Sequence, residues 1–351
     1  VLMHEGGSQT PPPGAVNACV GISGPVVDIN SRLDPAIDAV VTGHTHLPYN
    51  CLLNDPNGNP RIVTSAYSFG RVVSELNLVL DHRTGDVRRD LSGATNHAVV
   101  RSQLTADAAI TAIINKWKVI SDPIGKAQVG TITADIRRAF NGAAEDRGSE
   151  SSAGNMIADA QLFATQGNGA QIAFMNPGGI RSDLTFAKSG AEAVDGIVTY
   201  AEAFTFQPFS NVLMTMPMTG AQVVQVLEDQ CQPAGSSRPF LHLGVSVGFT
   251  YDLSKTFGLV DHDNTPVTAP INSCTSITVT NVLLNGVPLN PADTYMVTVN
   301  QFLADGGDNF ATFRDINPSL RIGGGIDLDE LISYFAANSP MAPPTTSAPT
   351  M

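Results

Sequence analysis

Twice in this sequence, a short apolar run typical of a buried strand leads directly into a glycine-containing loop. The run at 38–41 precedes a Gly-His-Thr-His loop at 43–46, and the run at 171–175 precedes an Asn-Pro-Gly-Gly-Ile-Arg loop at 176–181. Because polar side chains at the ends of such strands collect at the edge of a sheet, this pattern favours a chain of α and β elements with its sites at sheet edges.

Further patterns indicate two domains joined by a helix. Short apolar strands alternate with loops up to about residue 92, and we expect these strands to belong to one sheet. Apolar residues recur at helical spacing over 105–119, which predicts a connecting helix. Predicted strands at 125–133 and 171–175 then mix with predicted helices at 151–165 and 219–230, so we expect a mixed α/β second domain.

Composition limits the possible partners. The 19 Lys and Arg residues against 32 Asp and Glu residues give a net charge of -13. The sequence has no basic cluster to meet a phosphate backbone, so binding to a nucleic-acid polymer is not expected. No apolar run approaches the ~20 residues needed to span a bilayer, so no transmembrane segment is expected.

The cysteine pattern bears on the cellular compartment. The chain has four cysteines and no Cys-x-x-Cys pair, which argues against a zinc ribbon or a thioredoxin-like motif. If each half is a domain, the local pairings are Cys19 with Cys51 and Cys231 with Cys274. An even count in an acidic, lysine-poor chain suits disulfides and an oxidising compartment. Four buried free thiols are the alternative.

Three histidines form the first candidate site, a metal centre. His44 and His46 lie two residues apart after a strand, so on extended chain their imidazoles point to the same side. His4 follows another apolar segment, which we interpret as the end of a buried strand. Because all three follow strands of one sheet, we expect them to meet at one edge. An ordinary surface or core pair is the alternative for His44 and His46.

Three further loops have the chemistry to bind a nucleotide. In the loop at 176–181, two glycines let backbone N–H groups approach an anion, and an arginine can bind phosphate through two parallel hydrogen bonds. A tight turn with a solvated arginine is the alternative. The loops at 208–211 and 300–310 each place an aromatic ring beside polar side chains, which suits a nucleobase, although each ring also suits a core position.

These segments, in this order and spacing, resemble the bifunctional 5'-nucleotidase and UDP-sugar hydrolase family, whose C-terminal domain carries Asn-x-Gly-Gly-Ile-Arg, Pro-Phe-x-Asn and Phe-x-x-x-Gly-Gly-Asp motifs. The resemblance implies an α/β and α+β chain: part of a calcineurin-like metallophosphatase sandwich over 1–95, a linker helix over 96–122 and a mixed α/β substrate-binding domain over 123–338. Residues 339–351, rich in Pro, Ser and Thr, predict a flexible tail.

The resemblance also implies roles for individual residues. His4 and His44 are similar to ligands of one metal ion, and His46 to a residue that completes the shell of a second. Zinc, manganese or a similar divalent ion suits such ligands. The implied substrate-binding residues are Arg147, Asn176, Gly178, Gly179, Arg181, Phe209, Asn211, Gly244, Phe302 and Asp308.

Within that set, Phe209 and Phe302 resemble two rings that sandwich a base. Asn211 and Asp308 resemble groups that bind the base edge and the ribose hydroxyls, and a carboxylate favours the ribose because it accepts hydrogen bonds from hydroxyls. Arg181 resembles a contact to the phosphate of the substrate or to a carboxylate side of it.

The sequence also departs from the family pattern. The printed chain lacks the Asp-x-His motif, the bridging Asp and the Gly-Asn-His-acid motif of the metal domain. Asn96 and His97 are flanked by neither the glycine nor the acid, and we expect them on a linker surface. Without those ligands two cations cannot be held, so the chain is interpreted as N-terminally truncated and catalytically incomplete.

The expected function of the full-length protein is metal-dependent hydrolysis of nucleotide phosphate esters, in nucleotide breakdown and scavenging, with this chain inactive by itself. A metal-free module that binds nucleosides or nucleotides is one alternative, and a UDP-sugar or cyclic-nucleotide phosphodiesterase is another. The expected partner is a nucleotide or nucleoside. The cysteines and the resemblance together predict an extracellular, periplasmic or cell-wall location.

Overall fold

The computed structural model describes residues 1–10, 14–190, 192–234, 236, 238–260 and 271–346. This described part of the chain divides into two compact units, the first comprising mainly Val1–Ala108 and the second most of the chain from Ala109 onward. Helices and strands alternate through it, so the predicted α/β class is confirmed.

The first unit is built on a mixed sheet. Its elements are α1 (Pro25–Arg32), β1 (Ala39–Thr42), β2 (Tyr49–Asn54), β3 (Pro60–Ser65), β4 (Val72–Asn77) and β5 (Gly93–Ala98). Strand β3 lies between β1, to which it is parallel, and β2, to which it is antiparallel. Val26 of α1 packs against Val40 and Val63 of the sheet, which places the core between the helix and the strands.

Strands β4 and β5 differ from the prediction of a single sheet. In the described residues they pair with each other and not with the β1–β3 sheet. Asn96, predicted on a linker surface, lies in β5 and is buried, and its Nδ2 donates to the carbonyl oxygens of Tyr49 and Ser65, each at 3.1 Å. A buried amide needs hydrogen-bond partners, and the bonds of this side chain connect β5 to β2 and β3.

The first residues of the chain run beside β1. The Met3 N–H donates to the carbonyl oxygen of Val41, whose own N–H donates to the carbonyl oxygen of Val1. Leu2 is 83% exposed, so this segment forms an open edge of the sheet and is not the buried strand that the sequence predicts.

Helix α2 (Ala108–Gly125) connects the sequence segments of the two units. The sequence predicts a helix over 105–119, and the observed helix begins and ends later. None of its residues is buried, and Pro123 lies inside its last turns. The predicted linker over 96–122 begins within strand β5, which ends at Ala98.

The second unit is a sheet with helices on both faces. Its strands are β6 (Gln128–Thr131), β7 (Phe140–Asn141), β8 (Ala144–Glu145), β9 (Ile172–Met175), β10 (Ile197–Thr199), β11 (Val212–Thr219), β12 (Gly244–Val245), β13 (Phe249–Val260), β14 (Ile271–Leu284), β15 (Val287–Pro288), β16 (Thr294–Asn300) and β17 (Ile322–Ile326). Its helices are α3 (Ser152–Thr165), α4 (Tyr200–Phe206), α5 (Gly220–Glu228), α6 (Gln301–Ala304), α7 (Ala311–Arg314) and α8 (Asp327–Asn338). The central sheet has the order β12-β9-β16-β11-β17, with β9 and β16 parallel and the other neighbours antiparallel.

Strand β9 separates two hydrophobic cores. Ala173 and Met175 face the core of α3, α4 and α8, whereas Ile172 and Phe174 face the core of α5, α6 and α7. Successive side chains of a strand point to opposite faces of the sheet, so an unbroken apolar run marks a strand that is covered on both sides. The strand leaves these cores at residue 176, where the polar loop begins.

Residues 339–346 pack on the second unit and are not the flexible tail that their composition predicts. Met341 is buried and pairs with Ile132, and its N–H donates to the carbonyl oxygen of Thr131 at 2.8 Å. The Asn155 side chain donates to the carbonyl oxygen of Thr345 at 3.3 Å. The backbone hydrogen bond and the burial of Met341 offset the conformational entropy that this Pro- and Ser-rich segment loses when it becomes ordered. Residues 347–351 of the predicted tail lie outside the described residues.

Both predicted disulfides are present. Cys19 is bonded to Cys51 in the first unit, with Cα atoms 5.1 Å apart, and Cys231 to Cys274 in the second, with Cα atoms 5.4 Å apart. Two disulfides are consistent with an oxidising compartment. In the part of the chain that the structure covers, no helix combines the length and apolar character needed to span a membrane.

Candidate functional site

Polar residues gather where β9 and β16 end. Asn176 follows β9 directly, and Asn300 ends β16 and caps helix α6 by accepting a hydrogen bond from the Leu303 N–H. Because the two strands are parallel neighbours, their carboxyl ends meet at the same edge of the sheet. The loops that follow them are therefore close together.

Asp308 is the acidic group at this edge. Its Oδ2 accepts a hydrogen bond from Asn176 Nδ2 at 2.8 Å. A Cβ added to Gly178 would lie 3.2 Å from both Asp308 Oδ2 and Arg147 Nη1, so glycine keeps open the space between these two side chains. Asp308 has φ of 54°, a left-handed conformation that costs energy for a residue other than glycine and that occurs often at functional sites.

Arg181 connects this loop to Phe209. Its Nη1 donates to the Gly178 carbonyl oxygen at 3.1 Å, and its guanidinium carbon lies 5.4 Å from the centroid of the Phe209 ring, within cation–π range. Burial and the nearby Arg147 guanidinium lower the pKa of Arg181. Phe209 is 54% exposed, so the cation and the open ring together present one surface to a ligand.

Further charged groups surround the same loop. Arg147 pairs with Glu145, with Nε and Oε1 2.6 Å apart, and its carbonyl oxygen accepts from the His242 N–H at 2.8 Å. Arg238 has an exposed surface, but desolvation of its guanidinium by neighbouring groups and the charge of Arg147 lower its pKa to about 10. Arg238 also interacts electrostatically with Glu145, Asp308 and Arg181, so three guanidinium groups share this region with two carboxylates. That balance favours an anionic ligand.

Phe302 lies against Gly307, the residue before Asp308. It belongs to helix α6 and is 45% exposed. A Cβ added to Gly307 would lie 2.5 Å from Phe302 Cζ, so the ring lies directly against the Gly307 backbone. We call the connected residues the sheet-edge cluster: Arg147, Asn176, Gly178, Arg181, Phe209, Phe302 and Asp308.

The structure gives three other predicted binding residues different contacts. Asn211 Nδ2 donates to Asp327 Oδ2 at 3.2 Å, at the start of α8. Gly244 lies in β12 against the backbone of Gly154, where a side chain would collide with helix α3. Gly179 is buried, and a Cβ there would meet the Met175 side chain. The two glycines are thus explained by close packing.

Arg238 is not among the predicted site residues, and Asn300 is predicted only as part of the 300–310 loop, without a role of its own. Arg238 belongs to no motif and lies near the cluster only through the fold. Asn300 is the first residue of the 300–310 loop, but no local signal distinguishes it from an ordinary helix cap.

The three predicted metal ligands lie in the first unit. His44 Nδ1 is 3.3 Å from His4 Nε2, whereas the His46 ring packs against Phe69 with centroids 5.6 Å apart. His44 and His46 have φ of 64° and 55°. The chain between them is therefore not extended, in contrast to the prediction. The Thr45 hydroxyl donates to the Gly7 carbonyl oxygen at 2.9 Å, which holds this tight turn in place.

The described residues do not fit a two-metal centre. Within the ranges that the structure covers, no group of three or more His, Cys, Asp or Glu side chains is arranged to hold a metal ion. A two-metal centre needs more ligands than the adjacent His4 and His44 supply, including a carboxylate between the ions.

Comparison with known proteins finds relatives that include 5'-nucleotidases. A family model described as "5'-nucleotidase, C-terminal domain" matches residues 123–315. A cell wall protein of Listeria monocytogenes is 32% identical over 314 residues, which cover 87% of this chain and 36% of that protein. Human 5'-nucleotidase is 26% identical over 305 residues, which cover 80% of this chain and 48% of that enzyme.

The same fold occurs in a solved structure. The 5'-nucleotidase precursor from Thermus thermophilus aligns over 89% of this chain and 58% of its own, with a TM-score of 0.57 and 24% identity. The chain therefore spans less than two thirds of each of these proteins. All members of the sheet-edge cluster lie within residues 123–315, the range that the family model matches.

Proposed function

The chain belongs to the 5'-nucleotidase C-terminal domain family, and we propose on that basis that its second unit binds the nucleotide substrate of a phosphate-ester hydrolase at the sheet-edge cluster. The observation that carries this proposal is a series of neighbouring groups: Arg181 contacts the Phe209 ring and the Gly178 carbonyl oxygen, and a Cβ added to Gly178 would lie 3.2 Å from Asp308 Oδ2. This series brings an aromatic ring, a cation and a carboxylate together at one sheet edge.

Each part of the cluster suits one part of a nucleotide. Phe209 and Phe302 are about half exposed, which leaves ring surface for stacking on a base. Arg181 and Arg147 supply guanidinium groups for phosphate oxygens. Asp308 accepts hydrogen bonds and therefore suits ribose hydroxyls. We propose no base-edge contact for Asn211, because its amide is bonded to Asp327.

Hydrolysis is the function that the family supports, and 5'-nucleotidases are generally dependent on divalent metal ions. The described residues fit no such metal site, so substrate binding is the step that we assign to them. A module that binds nucleosides or nucleotides without metal is the second candidate. The sheet-edge cluster would bind the nucleotide or nucleoside in both cases.

We also propose an extracellular or cell-wall location. Both disulfides suit an oxidising compartment. The Listeria monocytogenes relative is a cell wall protein, in agreement with this proposal.

Calorimetric titration of this chain with adenosine and AMP, with and without zinc or manganese, tests the proposal. We expect metal-independent binding of both ligands, with AMP bound more tightly. Phe302→Ala should weaken both about fivefold to hundredfold through the loss of base stacking. Phe163→Ala is the matched control, because Phe163 is similarly exposed but packs against Tyr334 on α8.

Failure of the folded wild-type chain to bind either ligand would overturn the proposal, and so would equal losses in the two phenylalanine variants. Phosphate release from AMP by this chain with added metal would exclude the metal-free binding module. Binding without release agrees with both candidates, because the described residues form no complete metal site.

A further inference from the structure

A buried asparagine, Asn300, lies behind the sheet-edge cluster and is 1% exposed. Its Nδ2 donates to Asn176 Oδ1 at 3.0 Å, and Asn176 Nδ2 donates in turn to Asp308 Oδ2 at 2.8 Å. The three side chains form a line of hydrogen bonds from the interior of the sheet to the cluster. The line ends on the carboxylate that suits ribose hydroxyls.

One backbone group sets the direction of every bond in this line. The Leu303 N–H, in helix α6, donates to Asn300 Oδ1 at 3.0 Å. Because a backbone N–H can only donate, Asn300 must turn its oxygen to Leu303 and its Nδ2 to Asn176. Asn176 must then turn its own oxygen to Asn300 and its Nδ2 to Asp308.

We propose that Asn300 is a positioning residue for ribose recognition. It fixes the Asn176 amide so that this amide holds Asp308 Oδ2, which leaves Asp308 Oδ1 for the ribose hydroxyls. Within the described residues, Oδ1 accepts no hydrogen bond, in keeping with this role. The inference rests on the nucleotide-binding function proposed above.

Asn300→Asp tests the direction of the line. An ionised aspartate still caps α6 by accepting from Leu303, but it has no hydrogen for Asn176. Asn176 then has to reverse its amide, which turns an oxygen towards the Asp308 carboxylate, and the two acceptors repel each other. Asn300→Ser is the second variant, since serine retains the cap but is too short to orient Asn176.

The measurement is the ratio of the dissociation constants of 2',3'-dideoxyadenosine and adenosine at pH 8. For the wild type we expect a ratio of about ten to a hundred, the effect of hydrogen bonds to a charged group. In Asn300→Asp the ratio should fall towards one, while dideoxyadenosine affinity stays within about twofold because its stacking is unaffected.

Asn317→Asp is the matched control. Asn317 is exposed and also acts as a cap, accepting from the Ser319 N–H at 3.0 Å, so the same substitution there should leave the ratio unchanged. If Asn300→Asp does not fold, the ratio of the two dissociation constants in Asn300→Ser tests the proposal. This ratio should lie below the wild-type value.

Three outcomes are distinguishable. A wild type that binds neither ligand contradicts the nucleotide-binding function itself. A wild type that binds both equally contradicts ribose recognition by Asp308 and hence the role of Asn300. A folded Asn300 variant with an unchanged ratio, or with equal losses for both ligands, shows that Asn300 has only a structural role.

Discussion

The Arg181 guanidinium is held between the Phe209 ring, 5.4 Å from its carbon, and the Gly178 carbonyl oxygen, 3.1 Å from Nη1. These contacts restrict a long, flexible side chain before any ligand binds, so less rotational freedom is lost on binding. The same arginine supports the ring that we assign to the base and supplies charge for the phosphate.

The first prediction follows from that double contact. Arg181→Met keeps a side chain of similar length against Phe209 but removes the charge. AMP affinity should fall about tenfold to a hundredfold, whereas adenosine affinity should change less than about threefold, because only AMP carries a phosphate. Calorimetric titration measures both. Arg314→Met, at an exposed arginine paired with Asp315, is the control, and an equal loss for both ligands would contradict the assignment.

The second prediction concerns the backbone beneath Phe302. Gly307→Ala would place a Cβ 2.5 Å from Phe302 Cζ, so the ring must move. Adenosine affinity should fall about fivefold or more, since base stacking depends on ring position. Gly323→Ala is the control, because nothing lies within 4 Å of a Cβ at that position. Unchanged adenosine binding in Gly307→Ala would argue against Phe302 as a stacking ring.

How far the sequence predicts this structure depends on whether a contact is local. The apolar run of β9 and the loop after it are recognisable because a strand covered on both sides and a glycine turn have local patterns. No role of its own was predicted for Asn300 because its partner Asn176 is 124 residues away. The packing of Met341 against Ile132 was not predicted for the same reason. Composition does not reveal a backbone partner more than two hundred positions earlier in the chain.

The histidine loop shows a second limit. The prediction that the imidazoles of His44 and His46 point to the same side requires extended chain, but both residues have positive φ. That conformation depends on the turn held by Thr45 and Gly7, a contact between distant parts of the chain. Spacing alone therefore did not predict which imidazoles meet.

The third prediction concerns stability against pH. Burial raises the pKa of Asp159 to about 6, although the Val247 N–H donates to its carboxylate. The folded state therefore holds the proton more tightly than the unfolded chain, and stability from this group is lost as the pH rises from about 4 to about 6.

Asp159→Asn removes this dependence and keeps an acceptor for Val247. At pH 7 the variant should be more stable than the wild type by about 1–3 kcal/mol, and the difference should shrink towards zero at pH 4. Urea unfolding at both pH values measures it. A difference independent of pH would show that Asp159 does not titrate in this range.

The fourth prediction concerns the disulfide of the second unit. Replacing Cys231 and Cys274 together with alanine should lower the free energy of unfolding by about 2–5 kcal/mol, because the bond restricts the unfolded chain. Urea unfolding under non-reducing conditions provides the comparison. If the variant unfolds at the wild-type midpoint, the bond does not stabilise the unit.

The fifth prediction concerns residues 339–346. Met341→Ala should cost about 2 kcal/mol or more of unfolding free energy, because it leaves a cavity beside Ile132. Leu320→Ala, at a side chain that is 51% exposed, should cost much less. Equal effects of the two substitutions would mean that the segment does not pack as described.

The pairing of Met341 with Ile132 also determines where the polypeptide enters and leaves this unit. Its first strand, β6, and its last described segment run side by side, so incoming and outgoing chain are neighbours. Units with adjacent ends tolerate circular permutation and insertion into other proteins, because neither change strains the fold. Such a unit can be joined to different flanking segments through its two neighbouring ends.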